Sequence, residues 1–396
     1  MFSNRLPASL ATNRLTDAIQ RVRSTSRPLI DLTESNPTRA GFNYPADLLS
    51  PLADPRGALY LPAPFGLPTA RRAVAADYAR QGITVPPDQI VLTASSSESY
   101  SLLFKTLADA GDEILVPRPS YPLFDDLTRL DLVASRPYEL EYHGRWMLEA
   151  ASIERALTSR TRAVLIVSPN NPTGSFVKRD ELERLAALCA ERDVAIIADE
   201  VFADYELEAG SATQAGRAST CRDALTFALG GLSKSVGLPQ LKLGWIAVTG
   251  PAARVDAALQ RLEHICDTYL SVSTPVQAAV AELLQSGASV RAQIANRVRE
   301  NYHELKNQTA AVPSCVALNS EGGWYGVLQV PSFESEEDLV LRLLDAGVLV
   351  HPGYFFDFPS ESFVVLSLLP PPDAFHDGVA RILRHFACTA SVDRHV

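Results

Sequence analysis

Apolar runs of strand length recur through the middle of this chain, at Ile90–Thr93, Glu113–Val116, Ala163–Val167, Ala195–Ala198, Leu225–Leu229 and Trp245–Val248. Stretches with helical spacing separate them. In Lys178–Arg192, for example, Leu182, Leu185, Ala186 and Cys189 fall on one face. Such alternation predicts an α/β fold, with a mostly parallel sheet covered by helices on both faces, three layers in all. In an open parallel sheet, ligands bind outside the carboxyl ends of the strands. The loops that follow these runs are therefore the place to look for chemistry.

The chain has 396 residues, 46% of them hydrophobic, enough for two domains and a large core. Residues 252–310 read as long helices, and Asn296–Gln308, rich in Arg, Glu and Asn, reads as an exposed helix bridging two lobes. Past residue 312 the runs Gly326–Val330, Val348–Val350 and Phe363–Leu368, then the helical stretch Asp373–Phe386, predict a smaller α+β domain. The N-terminal segment is expected to join it. The expected division is a large domain over 46–290 and a discontinuous small domain over 1–45 and 291–396.

The net charge is −10, with Lys and Arg scattered rather than striped, which argues against a nucleic-acid partner. No apolar run reaches the length of a membrane span. The start, Met1-Phe2-Ser3-Asn4-Arg5, lacks an apolar signal core. Five dispersed cysteines (189, 221, 266, 315, 388) form no CxxC pair and read as reduced thiols, so a cytoplasmic location is expected and a zinc site is not.

Five segments at strand ends carry candidate chemistry. Thr93-Ala94-Ser95-Ser96-Ser97-Glu98 precedes the helical stretch Tyr100–Ala108 and offers N–H groups and hydroxyls to an anion, though the same residues serve as plain helix caps. Tyr121, flanked by prolines in Pro119-Ser120-Tyr121-Pro122, is an aromatic face that either lines a cleft or packs in a turn. Ser168-Pro169-Asn170-Asn171-Pro172-Thr173-Gly174 holds two amides in fixed geometry, beyond what a turn requires. Asp199 ends a buried run and needs a cationic partner, unless it caps the next helix. Lys234, in Leu232-Ser233-Lys234-Ser235, follows another buried run, where an amine could condense with a carbonyl.

Taken in this order, the motifs resemble those of the fold-type I pyridoxal-phosphate enzymes, specifically the class I/II aminotransferase family. The resemblance spans nearly the whole chain, with Tyr60 and Gly66 before Arg71-Arg72-Ala73-Val74, Ser273-Thr274-Pro275, and Val350-His351-Pro352-Gly353 as further landmarks. It implies transfer of an amino group from an amino acid, with an aromatic or large apolar one suggested by Trp324, Tyr325, Tyr354, Phe355, Phe356 and Phe358, to a 2-oxo acid. The cofactor would be pyridoxal 5'-phosphate. Lys234 would form the internal aldimine and then shuttle the proton from Cα to the cofactor's C4′. Asp199 would hold the pyridinium; at ~4 Å and an effective dielectric of ~20 that attraction is about 4 kcal/mol before desolvation. Asn171 would bond the 3-oxygen and Tyr121 would stack on the ring. Ser96, Ser97 and Lys242 would hold the phosphate, with Ser95 as a further candidate. Tyr60 would reach the phosphate of a neighbouring subunit, which implies a homodimer with shared active sites.

The sequence departs from the family pattern at Phe202, where a Tyr is usual, at Gly231 for a Ser, and at Lys242 for an Arg. The largest departure is Val365, in Phe363-Val364-Val365-Leu366-Ser367, where the family places the Arg that clamps the substrate carboxylate. Arg39, after Glu34-Ser35-Asn36-Pro37-Thr38, is a candidate replacement. β-Elimination (a carbon–sulfur lyase) on the same fold is the alternative activity, and a non-catalytic regulator that binds the cofactor is a third.

Overall fold

A computed structural model describes residues 2–7, 11–25 and 27–392, with side chains up to residue 387. Its centre is an eight-stranded sheet in the order Ile90–Thr93, Gly244–Thr249, Thr226–Gly231, Ala195–Asp199, Thr161–Val167, Glu113–Arg118, Ala134–Tyr142, Trp146–Leu148. Each of the six apolar runs expected as strands in the middle of the chain is in this sheet. Gly244–Thr249 is antiparallel to both neighbours and Trp146–Leu148 to its one, while the rest run parallel.

The central strands are buried on both faces, and side-chain alternation sorts their residues into two cores. Ile114, Val116, Ala163, Leu165, Val167, Ala195, Ile197, Phe227 and Leu229 face the helices Ser96–Leu107 and Ala252–Tyr269, through Tyr100, Phe104, Val255 and Leu262. Leu115, Val164, Ile166, Ile196, Ala198 and Ala228 face the other layer, with Val74, Leu182, Leu185 and Leu283 from helices Pro68–Arg80, Arg179–Arg192 and Thr274–Ser286. Each buried Ile, Val or Leu contributes about 1.5–3 kcal/mol over exposure, which is what makes this sheet a rigid platform. The helix Arg179–Arg192 starts where Glu181 Oε2 accepts from the Lys178 N–H at 2.9 Å and stops at Asp193, whose φ of 53° is left-handed.

A four-stranded antiparallel sheet, Val316–Ala317, Tyr325–Gln329, Phe363–Ser367 and His351–Pro352, forms the second layer system with the helix Pro372–Val392. The expected single strand at 348–350 is instead divided. Val348–Leu349 pairs in parallel with Ile30–Asp31 from the N-terminal segment, and His351–Pro352 joins the four-stranded sheet. Both chain ends thus build this lobe. The bridging helix is longer than expected, Ala288–Thr309, and is not simply exposed. Arg291, Ile294, Val298, Asn301, Tyr302 and Leu305 are buried along one face, so its charged composition conceals an amphipathic core helix.

Among the described residues no helix is long and apolar enough to cross a membrane, and no cluster of His, Cys, Asp or Glu fits a metal. Cys189, Cys221, Cys266 and Cys315 are free and buried; the Cys388 side chain lies outside the described residues.

Candidate active site

Asp199 is the last residue of its strand and continues the face of Ala195 and Ile197, which is the face covered by the helix Ser96–Leu107. That register explains its partner. Tyr100, one turn into the helix, donates its hydroxyl to Asp199 Oδ2 at 2.7 Å, and the Val201 N–H donates to Oδ1 at 3.1 Å. Burial pushes the Asp199 carboxyl above its ordinary range, opposed by these hydrogen bonds and by the charge of Lys234. Tyr100 carries no signal in the sequence, since it reads as one more core residue of its helix.

Lys234 lies in the short helix Leu232–Ser235, directly after the strand Thr226–Gly231. Its Nζ is 4.9 Å from the centroid of Trp324 and 5.6 Å from that of Phe202, and the two rings meet edge-on at 5.2 Å. Burial in this aromatic box lowers the amine to about 8, with Asp199 the opposing influence. The other lysines differ. Lys105, Lys178 and Lys306 are paired with Asp131, Glu321 and Glu208, and Lys242 is exposed. An amine enclosed in this way, neutral in good part near pH 8, suits a nucleophile and base.

The two asparagines separate cleanly. Asn170 is consumed by structure: Nδ2 donates to Pro119 O at 3.0 Å and to Thr173 Oγ1 at 2.9 Å, and Oδ1 accepts from Ser120 Oγ at 2.9 Å. It thereby fixes the loop that carries Tyr121. Asn171 is buried, and its Oδ1 has no partner. Since the two ends of an amide are assigned from their bonds, Asn171 offers either a donor or an acceptor. The loop is locked to the segment before Trp324 at Gly174, where the N–H groups of Glu321 and Gly322 donate to the Gly174 carbonyl at 3.0 and 2.9 Å. Gly174 has φ +72°, and a Cβ there would stand 2.6 Å from that of Ser320, so only glycine fits.

Tyr121 packs edge-on against Phe124 at 5.8 Å, and burial followed by the charge of Asp199 raises its hydroxyl. The helix begins at Ser96 rather than at Tyr100. Ser95 caps it, accepting from the Glu98 N–H at 3.2 Å, so Ser96 and Ser97 occupy the first turn, where N–H groups lack internal acceptors. Lys242 is exposed, at φ 50°, two residues before the strand Gly244–Thr249. Tyr60 is 71% exposed and lies in a separate surface recess with Pro62, Gly66, Leu92 and Gln277, so within one chain it is not brought to Lys234.

Val365 is fully buried, opposite His351 and Val327, in a cluster with Trp146, Phe356, Phe358 and Phe363. The aromatic cluster therefore divides: Trp324 stands over Lys234, while Phe356 and Phe358 pack with Val365. Arg39 is mostly exposed and lies 3.5 Å from Glu34.

A buried carboxylate that feels the charge of a buried amine, an unpartnered amide, an aromatic face and a helix N-terminus fit a phosphorylated pyridine carrying an aldehyde and a phenolic oxygen. On this sheet they define an amino-group-transferring enzyme. The chain belongs to the family Aminotransferase class I and II, which it matches over residues 27–370. Enzymes of this family and fold use pyridoxal phosphate and move amino groups between amino acids and 2-oxo acids. The glutamate-pyruvate aminotransferase AlaA of Haemophilus influenzae is 26% identical over 377 residues, covering 92% of each chain. The alanine aminotransferase of Mycobacterium bovis is 26% identical over 367 residues, 88% of this chain and 83% of that one. The solved structure of alanine aminotransferase from Pyrococcus furiosus superposes with a TM-score of 0.86 at 23% identity, covering 98% of this chain and 100% of that chain.

Proposed function

We propose that this aminotransferase holds pyridoxal phosphate across Asp199, Asn171 and Lys234, and exchanges an amino group between an amino acid and a 2-oxo acid with Lys234 as its base. The observation that carries this reading is the Lys234 amine, set over Trp324 and Phe202, lowered to about 8 by burial, and opposed in that by the charge of the buried Asp199 carboxylate. When bound, the cofactor supplies a carbonyl and an electron-withdrawing ring. Asp199, with Tyr100 behind it, holds the ring nitrogen protonated. Asn171 would donate to the phenolic oxygen, Tyr121 would stack on the ring, and Ser96, Ser97 and Lys242 would hold the phosphate. Lys234 Nζ accepts the proton from the substrate's Cα, and Trp324 and Phe202 keep water from that amine.

A homodimer follows from the same reading. Leu59, Tyr60 and Leu61 are all more than half exposed, an apolar stretch that a second copy would cover while Tyr60 reaches the other copy's phosphate. The division into a large domain over 46–290 and a small domain over 1–45 and 291–396, and a cytoplasmic location, belong to this proposal. The relatives named above act in alanine and glutamate–pyruvate exchange, and alanine, glutamate and aromatic amino acids are the donors to try first.

The test is a half-reaction. The cofactor-loaded protein, mixed with an amino donor, loses its visible band, and a 2-oxo acid restores it. Release of pyruvate and ammonia from a β-substituted donor, with no need for an acceptor, would assign the protein to elimination instead.

A further inference from the structure

The short helix that presents Lys234 ends in two carbonyls that side chains from distant segments take, the Lys234 carbonyl accepting the Gly237 N–H as well, at 3.4 Å. The Tyr205 hydroxyl donates to the Lys234 carbonyl. Arg291 Nε donates to the Ser235 carbonyl at 2.8 Å. Tyr205 is fully buried and Arg291 nearly so. The helix stem is tied as well, with Ser235 Oγ donating to Gly231 O at 3.0 Å and the Leu232 N–H to Leu243 O at 3.0 Å.

Arg291 is itself held. Asp77 and Asp204 each lie 3.5 Å from its guanidinium, and Arg80 grips the same two carboxylates at 2.9 and 2.7 Å. Two arginines and two aspartates alternate, so the charges of this group cancel, with Arg80 at its exposed end. A buried charge left without such partners would be costly. Asp204 and Tyr205 follow Asp199 within a single turn segment, joined by Ala203 N–H to Glu200 O at 3.0 Å and Tyr205 N–H to Phe202 O at 2.9 Å. Arg291 therefore ties the segment after Asp199 to the turn that carries Lys234. The guanidinium suits this work, because its fixed planar fork spans a carbonyl and two carboxylates at once, which a lysine cannot do.

We infer that Arg291, with Tyr205, is a positioning residue: it sets the separation and aim of the Lys234 amine relative to Asp199 without touching substrate. This rests on the reading of Lys234 as the reacting amine. Its helix, Ala288–Thr309, also fastens the small sheet, with Asn301 Nδ2 donating to Leu368 O and Pro370 O at 2.9 and 2.8 Å. The clamp on Lys234 and the strand that carries Val365 thus hang on one rigid element.

The test uses cofactor-loaded wild type, Arg291→Lys, Arg291→Gln and Tyr205→Phe. The readouts are the pH midpoint of the bound cofactor's visible band, kcat and KM measured separately, and the thermal midpoint. A small misplacement of a reacting group costs up to about 100-fold, so kcat is expected to fall on the order of 10–100-fold with KM within about threefold. The band midpoint is expected to move in the Arg291 variants and in Tyr205→Phe alike. Tyr205→Phe removes one hydroxyl and no charge, so it reports on the clamp even where an Arg291 variant folds poorly. A lowered thermal midpoint with band and kcat unchanged would make the clamp merely structural and overturn the inference. Borohydride labelling of wild type separates the two readings. Label on Lys234 with unaltered variants overturns the clamp alone, whereas no label on Lys234 overturns the reading of the site and the inference with it.

Discussion

Tyr100 donates its hydroxyl to Asp199 at 2.7 Å, across the layer boundary between helix and sheet. This bond stabilises the ionised carboxylate in a place where burial disfavours it. A hydrogen bond to a charged group is worth about 1.5–3 kcal/mol. Tyr100→Phe is therefore expected to weaken pyridoxal phosphate affinity about 10- to 100-fold, measured by equilibrium titration of the visible band. Unchanged affinity would remove Tyr100 from the site.

Phe202 packs edge-on against Trp324 and gives no hydroxyl to the site. Restoring one with Phe202→Tyr adds a donor for the phenolic oxygen and favours its ionised form. The pH midpoint of the cofactor's visible band is expected to fall, and an equal midpoint in the two proteins would contradict the prediction.

Lys234 titrates near 8 in the folded chain, against 10.5 when unperturbed. Below pH 8 the amine is charged in both states and the folded protein bears the full cost of burying it. Between these values the unfolded chain binds the proton more tightly, so stability rises with pH through that window. Lys234→Met removes the cost. Without cofactor, the variant should exceed wild type in thermal midpoint by more at neutral pH than above pH 10. An equal margin at both would show that the amine is not desolvated.

Val365 is fully buried among apolar side chains of its cluster. Val365→Arg would bury a charge there, at a cost of about 3–5 kcal/mol where it stays unpaired. Urea unfolding should show the loss. A variant as stable as wild type that binds amino acids more tightly would mean the strand still accepts the clamp that the family places there.

Much of this architecture is legible in the residues themselves. Runs such as Ala195–Ala198 are apolar throughout and form buried strands, and the candidate site residues Asp199 and Lys234 sit where such runs stop. The start of the helix at Ser96 is less legible, because Ser95 reads equally as loop or cap, and only its bond to the Glu98 N–H decides between them. Tyr100, Tyr205 and Arg291 were not legible as site residues. Each lies in a helix or turn whose pattern describes packing, and each reaches Asp199 or Lys234 only through the fold's long-range contacts. Asn170 and Asn171 look alike in the sequence, and they differ only because Ser120, Pro119 and Thr173 consume the first. Tyr60, proposed to act across a dimer, stands apart from Lys234 within one chain, in a recess with Pro62 and Gln277.

Borohydride reduction of the cofactor-loaded protein, followed by peptide mapping, shows whether Lys234 is the amine that captures the cofactor. One pyridoxyl group per chain is expected, on Lys234, with loss of the visible band. Label on Lys242 or on the ion-paired lysines 105, 178 and 306 in place of Lys234, or a visible band that survives in Lys234→Met, would contradict it.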